Sequence, residues 1–286
     1  MKMVMAPSLG PGLIARAVSD ALAEDLGLAG DITTNATVPA SAQGAAVFAA
    51  RKPGVISGLA VAQATFRAVD ERVGFEALVA DGDAVVPGAV IAKVHGPARA
   101  LLTGERVALN FMGRMSGIAT LTRLYVDAVA GTKATIVDTR KTTPGLRAFE
   151  KYAVRCGGGM NHRVGLFDAI LIKDNHIVAA GGLTAAIEAA RTYAGHLVKI
   201  EVEVDTLAQL DEVLKHRVDV VLLDNMTPAQ LRDAVKRVSG QMLTEASGGV
   251  NLDSVRGIAE AGVDLISIGA LTHSAPVLDL GLDFQA

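Results

Sequence analysis

From Lys133 onward one pattern repeats: a short apolar, β-branched run ends in polar or small residues, and a helical segment follows. The runs are ATIVDTRK, DAILIKDNH, VKIEVEVD, VDVVLLDN, MLTEASGG and VDLISIGA. Near-continuous apolar strands alternating with helices predict a parallel sheet covered by those helices. Helix starts are expected near Thr184, Thr206, Thr227 and Asn251, because each residue type caps a helix N-terminus well. Thr206 and Thr227 are each followed three positions later by Gln, the spacing of a capping box. TLAQL at 206–210 and TPAQL at 227–231 look like successive copies of one βα unit. Six or seven such units predict a TIM-like α/β barrel, closed or incomplete. A doubly wound open sheet is the alternative, but no G-x-G-x-x-G follows the first strand.

The preceding residues follow another grammar. Pro11 to Leu26 reads as an amphipathic helix, GDITTNATVP as a polar turn, and Val61 to Val69 as a second helix. Gly44–Ala50 and Gly54–Ser57 read as short strands. FEALVADGDAVVPGAVIAKV is cut by Asp81-Gly82-Asp83 and Pro87-Gly88 into hairpin-like runs. Pro97 to Gly131 reads as helix, with Gly113 and Gly117 placed to break it in two. The expected organisation is an N-terminal α+β sandwich domain over 1–116 and an α/β barrel carrying the site over 117–274. The tail 275–286 is expected to pack back on the first domain. A chain of 286 residues, half of them apolar, has enough core for both.

A net charge of −3 argues against a general nucleic-acid binder. The single cysteine, Cys156, allows no intramolecular disulfide and suits a reducing cytoplasm. It is expected to be a small packing residue, not a nucleophile. No run approaches the ~20 apolar residues of a membrane span, and Met1–Ala6 lacks the apolar stretch of a secretory signal. The expected location is cytoplasmic, with no membrane partner.

In a parallel α/β barrel the strand C-terminal ends open on one face, where active sites are built. Here those ends carry Asp138-Thr139-Arg140-Lys141, Lys173-Asp174-Asn175-His176, Glu201 and Glu203, Asp224-Asn225, Glu245 with Ser247-Gly248-Gly249, and Ser267 with Gly269-Ala270. Arg140, Lys141, His162, Arg163 and Lys173 would form a basic wall suited to an anionic ligand, because guanidinium forks match carboxylate and phosphate oxygens. Glu203 and Asp224 would form an acidic patch for a divalent metal or sugar hydroxyls. The two glycine-containing loops leave room for backbone N–H groups to approach an oxyanion. A plainer alternative is that Glu201 and Glu203 only neutralise Lys141 and Lys173 at the barrel mouth.

The segments DTRKTTPGLR, KYAVRCGGGMNHR and LIKDNH, in this order and spacing, resemble the quinolinate phosphoribosyltransferases. The resemblance runs over nearly the whole chain. It implies transfer of phosphoribose from phosphoribosyl pyrophosphate to quinolinate with loss of CO2, a step of de novo NAD biosynthesis. Residue by residue it implies that Arg106, Arg140, His162 and Arg163 hold the two carboxylates. Lys141 and Lys173 would contact the acceptor or pyrophosphate, and Glu203 and Asp224 the ribose hydroxyls and Mg2+. Thr139, Ser247, Gly248, Gly249, Ile268, Gly269 and Ala270 would complete the substrate surface. It also implies a homodimer, with Arg106 reaching across the interface. A molybdenum-transport-associated paralogue shares the TRKT segment, but Lys173-Asp174-Asn175-His176 speaks against it. A non-catalytic phosphosugar sensor on the same scaffold is the reading from another class. Nicotinate phosphoribosyltransferases share the chemistry without needing so basic an acceptor wall.

Overall fold

A computed structural model describes residues 9–285, which form two compact units. The first takes in the chain up to residue 123, residues 148–158 and the segment from 274 onward; the second holds 124–147 and 159–273.

In the first unit, α1 (Pro11–Leu26) starts with proline in its first turn and buries Ile14, Val18 and Leu22, one stripe at helical spacing. The expected turn at GDITTNATVP instead holds a short helix, α2 (Ile32–Thr37). Asp31 nucleates it by accepting the Thr34 N–H at 2.9 Å. Then come β1 (Gln43–Ala50), β2 (Gly54–Val55), α3 (Leu59–Val69), β3 (Gly74–Ala77), β4 (Ala84–Val85), β5 (Val90–Pro97), α4 (Ala98–Ala128) and α5 (Arg147–Cys156). The C-terminal strand β12 (Leu280–Phe284) adds to β1, completing an antiparallel sheet of order β12-β1-β5-β3. Phe48, Phe66 and Phe75 fill its core with ring centroids 5.9 to 6.4 Å apart.

Helix α4 runs unbroken through Gly113 and Gly117, against the expected break. Each glycine costs an isolated helix about 1 kcal/mol relative to alanine. Tertiary packing explains their presence. A Cβ at Gly113 would press on Val277, and one at Gly117 would overlap the Pro276 carbonyl. Helix α5 packs in the first unit, although the sequence boundary had assigned it to the barrel. Phe149 stacks on Phe111 at 5.7 Å, and the Tyr152 hydroxyl donates to Asp81 at 2.8 Å. The fully buried Glu150 accepts from Arg114 at 2.7 Å. Stripping the partner from such a buried charge costs about 3–5 kcal/mol. Cys156 is buried, and burial pushes its thiol up to about 11, which suits packing and not nucleophilic chemistry.

The second unit is built on β6 (Thr135–Val137), β7 (Ile170–Ile172), β8 (Ile200–Val204), β9 (Val220–Asp224), β10 (Leu243–Ser247) and β11 (Leu265–Ser267). They form one parallel sheet of order β6-β11-β10-β9-β8-β7. Among the described residues its two edge strands do not pair with each other. A single parallel bridge from Val137 to Met160 extends the β6 edge, so the barrel is incomplete. The connecting helices are α6 (Asp174–Ala180), α7 (Leu183–Tyr193), α8 (Leu207–Val213), α9 (Pro228–Val238), α10 (Val255–Glu260) and α11 (Ala270–His273). Thr206 and Thr227 close the expected capping boxes with Gln209 and Gln230. Thr184 does not cap: α7 begins from Gly182, and the Thr184 hydroxyl donates to Glu212 at 2.8 Å. Asn251 closes a turn before α10 by accepting the Ser254 N–H at 2.9 Å. No helix among the described residues is long and apolar enough to cross a membrane.

Candidate active site

Parallel pairing keeps the strands in register, so their C-terminal residues reach one level of the second unit. A cavity of about 720 Å³ opens there. The end of β6 supplies Thr139, Arg140 and Lys141, and the loop after Met160 supplies His162 and Arg163. Lys173 enters from the end of β7, Glu203 from β8 and Asp224 from β9. Ser247, Gly248 and Gly249 close β10, while Ile268, Gly269 and Ala270 follow β11. Every candidate from the sequence lines this cavity except Arg106, which lies exposed on α4 in the first unit.

Local geometry fixes each side chain. Glu201 and Glu203 sit two apart on β8 and so share a face. Glu203 forms an ion pair with Lys173. Glu201 instead meets His162 Nε2 at 2.9 Å, so the simple pairing with Lys141 does not occur. Lys173 stands at the start of α6, where the sequence suggests only a strand end. The Lys173 N–H donates to His176 Nδ1 at 2.9 Å, giving His176 a capping and orienting role. Lys141 is exposed; its N–H donates to the Thr139 hydroxyl at 3.0 Å and its carbonyl accepts from Thr272 at 2.7 Å. Its stem passes over Gly269, where a Cβ would come within 3.0 Å of Lys141 Cδ.

The buried Asp138 accepts from the Asn161 side chain at 2.6 Å and from the His162 N–H at 2.9 Å, pinning the loop that carries His162 and Arg163. Burial lowers the Arg163 guanidinium from its usual range, and the neighbouring Arg140 lowers it further. Arg140 Nε is buried without a hydrogen-bond partner. An unsatisfied cationic donor on a cavity wall calls for an oxyanion. On the opposite side Asp224 accepts from Asn225 at 2.6 Å. Asn225 has φ +54°, which brings its N–H to the Ser247 carbonyl at 2.9 Å. Gly248, at φ +94°, leaves no space for a Cβ beside Asn225.

Further lining residues include Glu245, Asn225 and Ser267, from the strand ends, and His273, none of which the resemblance gives a role. A glutamate inside the run MLTEASGG was the available signal for Glu245. Asn225 and His273 gave none beyond their positions beside Asp224 and after Gly269-Ala270. The acidic patch expected for a metal, Glu203 and Asp224, belongs to no three-residue ligand group among the described residues. The one such group is His162, Glu201 and Glu245, whose ligand atoms lie within 4.8 Å of one another.

Comparison with known proteins shows likeness over most of the chain. Residues 31–116 match the N-terminal domain of quinolinate phosphoribosyl transferase, and residues 118–283 match its C-terminal domain. A nicotinate-nucleotide pyrophosphorylase (carboxylating) of Mycobacterium leprae is 49% identical, with 92% of this chain and 94% of the relative covered. A probable enzyme of the same name from Bacillus subtilis is 46% identical over 91% of this chain and 89% of the relative. The crystal structure of NadC from Streptococcus pyogenes superposes with a TM-score of 0.93 at 41% identity, covering 98% of this chain and all of that one.

Proposed function

This chain belongs to the quinolinate phosphoribosyltransferase family, and from that premise we propose how its cavity carries out the family's reaction. The enzyme transfers phosphoribose from phosphoribosyl pyrophosphate to quinolinate, giving nicotinate mononucleotide, pyrophosphate and CO2. The pyridine nitrogen attacks C1 of the ribose as pyrophosphate leaves. The 2-carboxylate then departs as CO2, its bonding pair stays on C2 beside the cationic nitrogen, and C2 takes up a proton.

The observation that carries the acceptor assignment is the buried, unpartnered Arg140 Nε beside Arg163 on the cavity wall. Arg163, whose charge is disfavoured by burial and by the neighbouring Arg140, is relieved by a dicarboxylate. Glu203 and Asp224 accept from the ribose hydroxyls and lower the energy of the cationic sugar in the transition state. Lys141 meets the charge growing on the departing pyrophosphate. The loops at Gly248-Gly249 and Gly269-Ala270 hold the 5′-phosphate through backbone N–H groups. No protein nucleophile is needed: positioning and preorganised charge supply the rate.

Mg2+ enters with phosphoribosyl pyrophosphate as the counter-ion of that substrate. Glu203 is occupied by Lys173 and Asp224 by Asn225. They therefore fit the hydrogen-bonding shell around a hydrated ion better than a resident all-protein cage. The functional unit is a homodimer in which the exposed Arg106 of one chain completes the acceptor wall of the other. The enzyme works in the cytoplasm, where the buried free Cys156 stays reduced.

Arg140→Lys tests the acceptor assignment. Lysine keeps the charge but loses the fork and its Nε–H. Calorimetric titration of quinolinate is expected to show affinity reduced about tenfold or more, the worth of one charge-assisted hydrogen bond. Unchanged affinity would remove Arg140 from the carboxylate site.

A further inference from the structure

The mechanism leaves two buried glutamates unused, and the histidine between them, His162, which the resemblance assigns to a carboxylate, has both ring nitrogens engaged within the protein. Glu201 and Glu245 come from β8 and β10 and converge on His162, with Nε2 2.9 Å from Glu201 and 3.5 Å from Glu245. Both carboxylates are almost wholly buried, and the Oε1 atom of each finds no hydrogen-bond partner. Burial and the neighbouring Glu201 carboxylate raise the cost of a charge on Glu245. A metal ion or a proton has to fill the gap.

The histidine decides between them. The Arg163 N–H donates to His162 Nδ1 at 2.8 Å. A backbone N–H can only donate, so Nδ1 carries no hydrogen and the ring proton sits on Nε2. That nitrogen has no lone pair for a metal. Its N–H points at Glu201, which takes the hydrogen bond. Glu245 is left without a donor of that strength. Among the described residues, the groups that act on its charge are Glu201, Asp138, His162 and the Ser267 hydroxyl, none of them an arginine or lysine. Burial first, and the Glu201 charge second, push the Glu245 carboxyl well above the usual range.

Glu245, Arg140, His162 and Arg163 line the same cavity. We propose that Glu245 is a specificity-determining residue for the anionic acceptor: as a neutral acid it leaves the wall cationic, and its ionisation expels the dianion. The inference rests on quinolinate being the acceptor. A ring dicarboxylate is already fully ionised near neutrality. A rise in its KM with pH therefore reports on the protein or on the other substrate, and a variant separates the two.

The experiment measures the KM for quinolinate at saturating phosphoribosyl pyrophosphate from about pH 6 to about pH 9, in wild type and E245Q. In wild type the KM rises about tenfold over this range while kcat changes less, as one added charge close to the acceptor requires. In E245Q the ratio of alkaline to acidic KM falls to about one, since glutamine cannot ionise. A flat wild-type profile, or the same rise in E245Q, overturns the inference. Infrared difference spectra of wild type cover the case in which E245Q does not fold. A protonated-carboxyl band that vanishes as the KM rises supports the proposal, and its absence contradicts it. No turnover of quinolinate at any pH would instead contradict the acceptor assignment itself.

Discussion

Lys141→Ala is expected to lower kcat by about a thousandfold, the loss associated with removing one preorganised group at a site of developing charge. Lys141 is held on both sides of its backbone by hydroxyls and threaded past Gly269 into the cavity. Among the described residues it forms no ion pair, whereas Lys173 is taken by Glu203. A free ammonium beside two glycine loops suits the oxygens of a departing pyrophosphate. That charge grows only as the C1–O bond breaks, so the effect should fall on kcat more than on the KM of either substrate. Stability should change little, because the side chain is exposed. Steady-state kinetics with circular dichroism on the same preparation checks both parts. Turnover within tenfold of wild type would take Lys141 out of the chemistry.

The second large effect concerns Arg106. It lies exposed on α4, in the unit that does not carry the cavity. If a second copy of the chain receives it, Arg106→Ala and Lys173→Ala are each nearly inactive alone. Mixed after reversible dissociation, they should recover activity. In a two-fold dimer each mixed pair has one site with both native residues, so random mixing restores about a quarter of the sites. Recovery to that level supports donation in trans. Loss of activity in Arg106→Ala without rescue would place the arginine's action within its own chain.

Much of this site was legible because strand ends are chemically conspicuous. Charges such as Lys173, Glu203 and Asp224 at the close of apolar runs demand partners or ligands, and the parallel grammar says that those ends share a face. Capping boxes at Thr206 and Thr227 are local devices, and local rules predict them. What escaped depends on distant contacts. Gly113 and Gly117 look like helix breakers until the 275–278 segment is seen against them. Helix α5 reads as part of the barrel by position, yet Phe111, Arg114 and Asp81 hold it in the first unit. Asn225 adopts a left-handed backbone that no spacing rule announces. The tautomer of His162 follows from a single backbone hydrogen bond, which the sequence does not encode in any readable form.

The most direct test of the account follows the label in quinolinate carrying 13C at its 2-carboxylate. The two-anion cavity predicts that labelled CO2 appears only when phosphoribosyl pyrophosphate is present, mole for mole with pyrophosphate, and that nicotinate supports no pyrophosphate release. Labelled CO2 formed without the sugar donor, or pyrophosphate released with nicotinate in place of quinolinate, would contradict it.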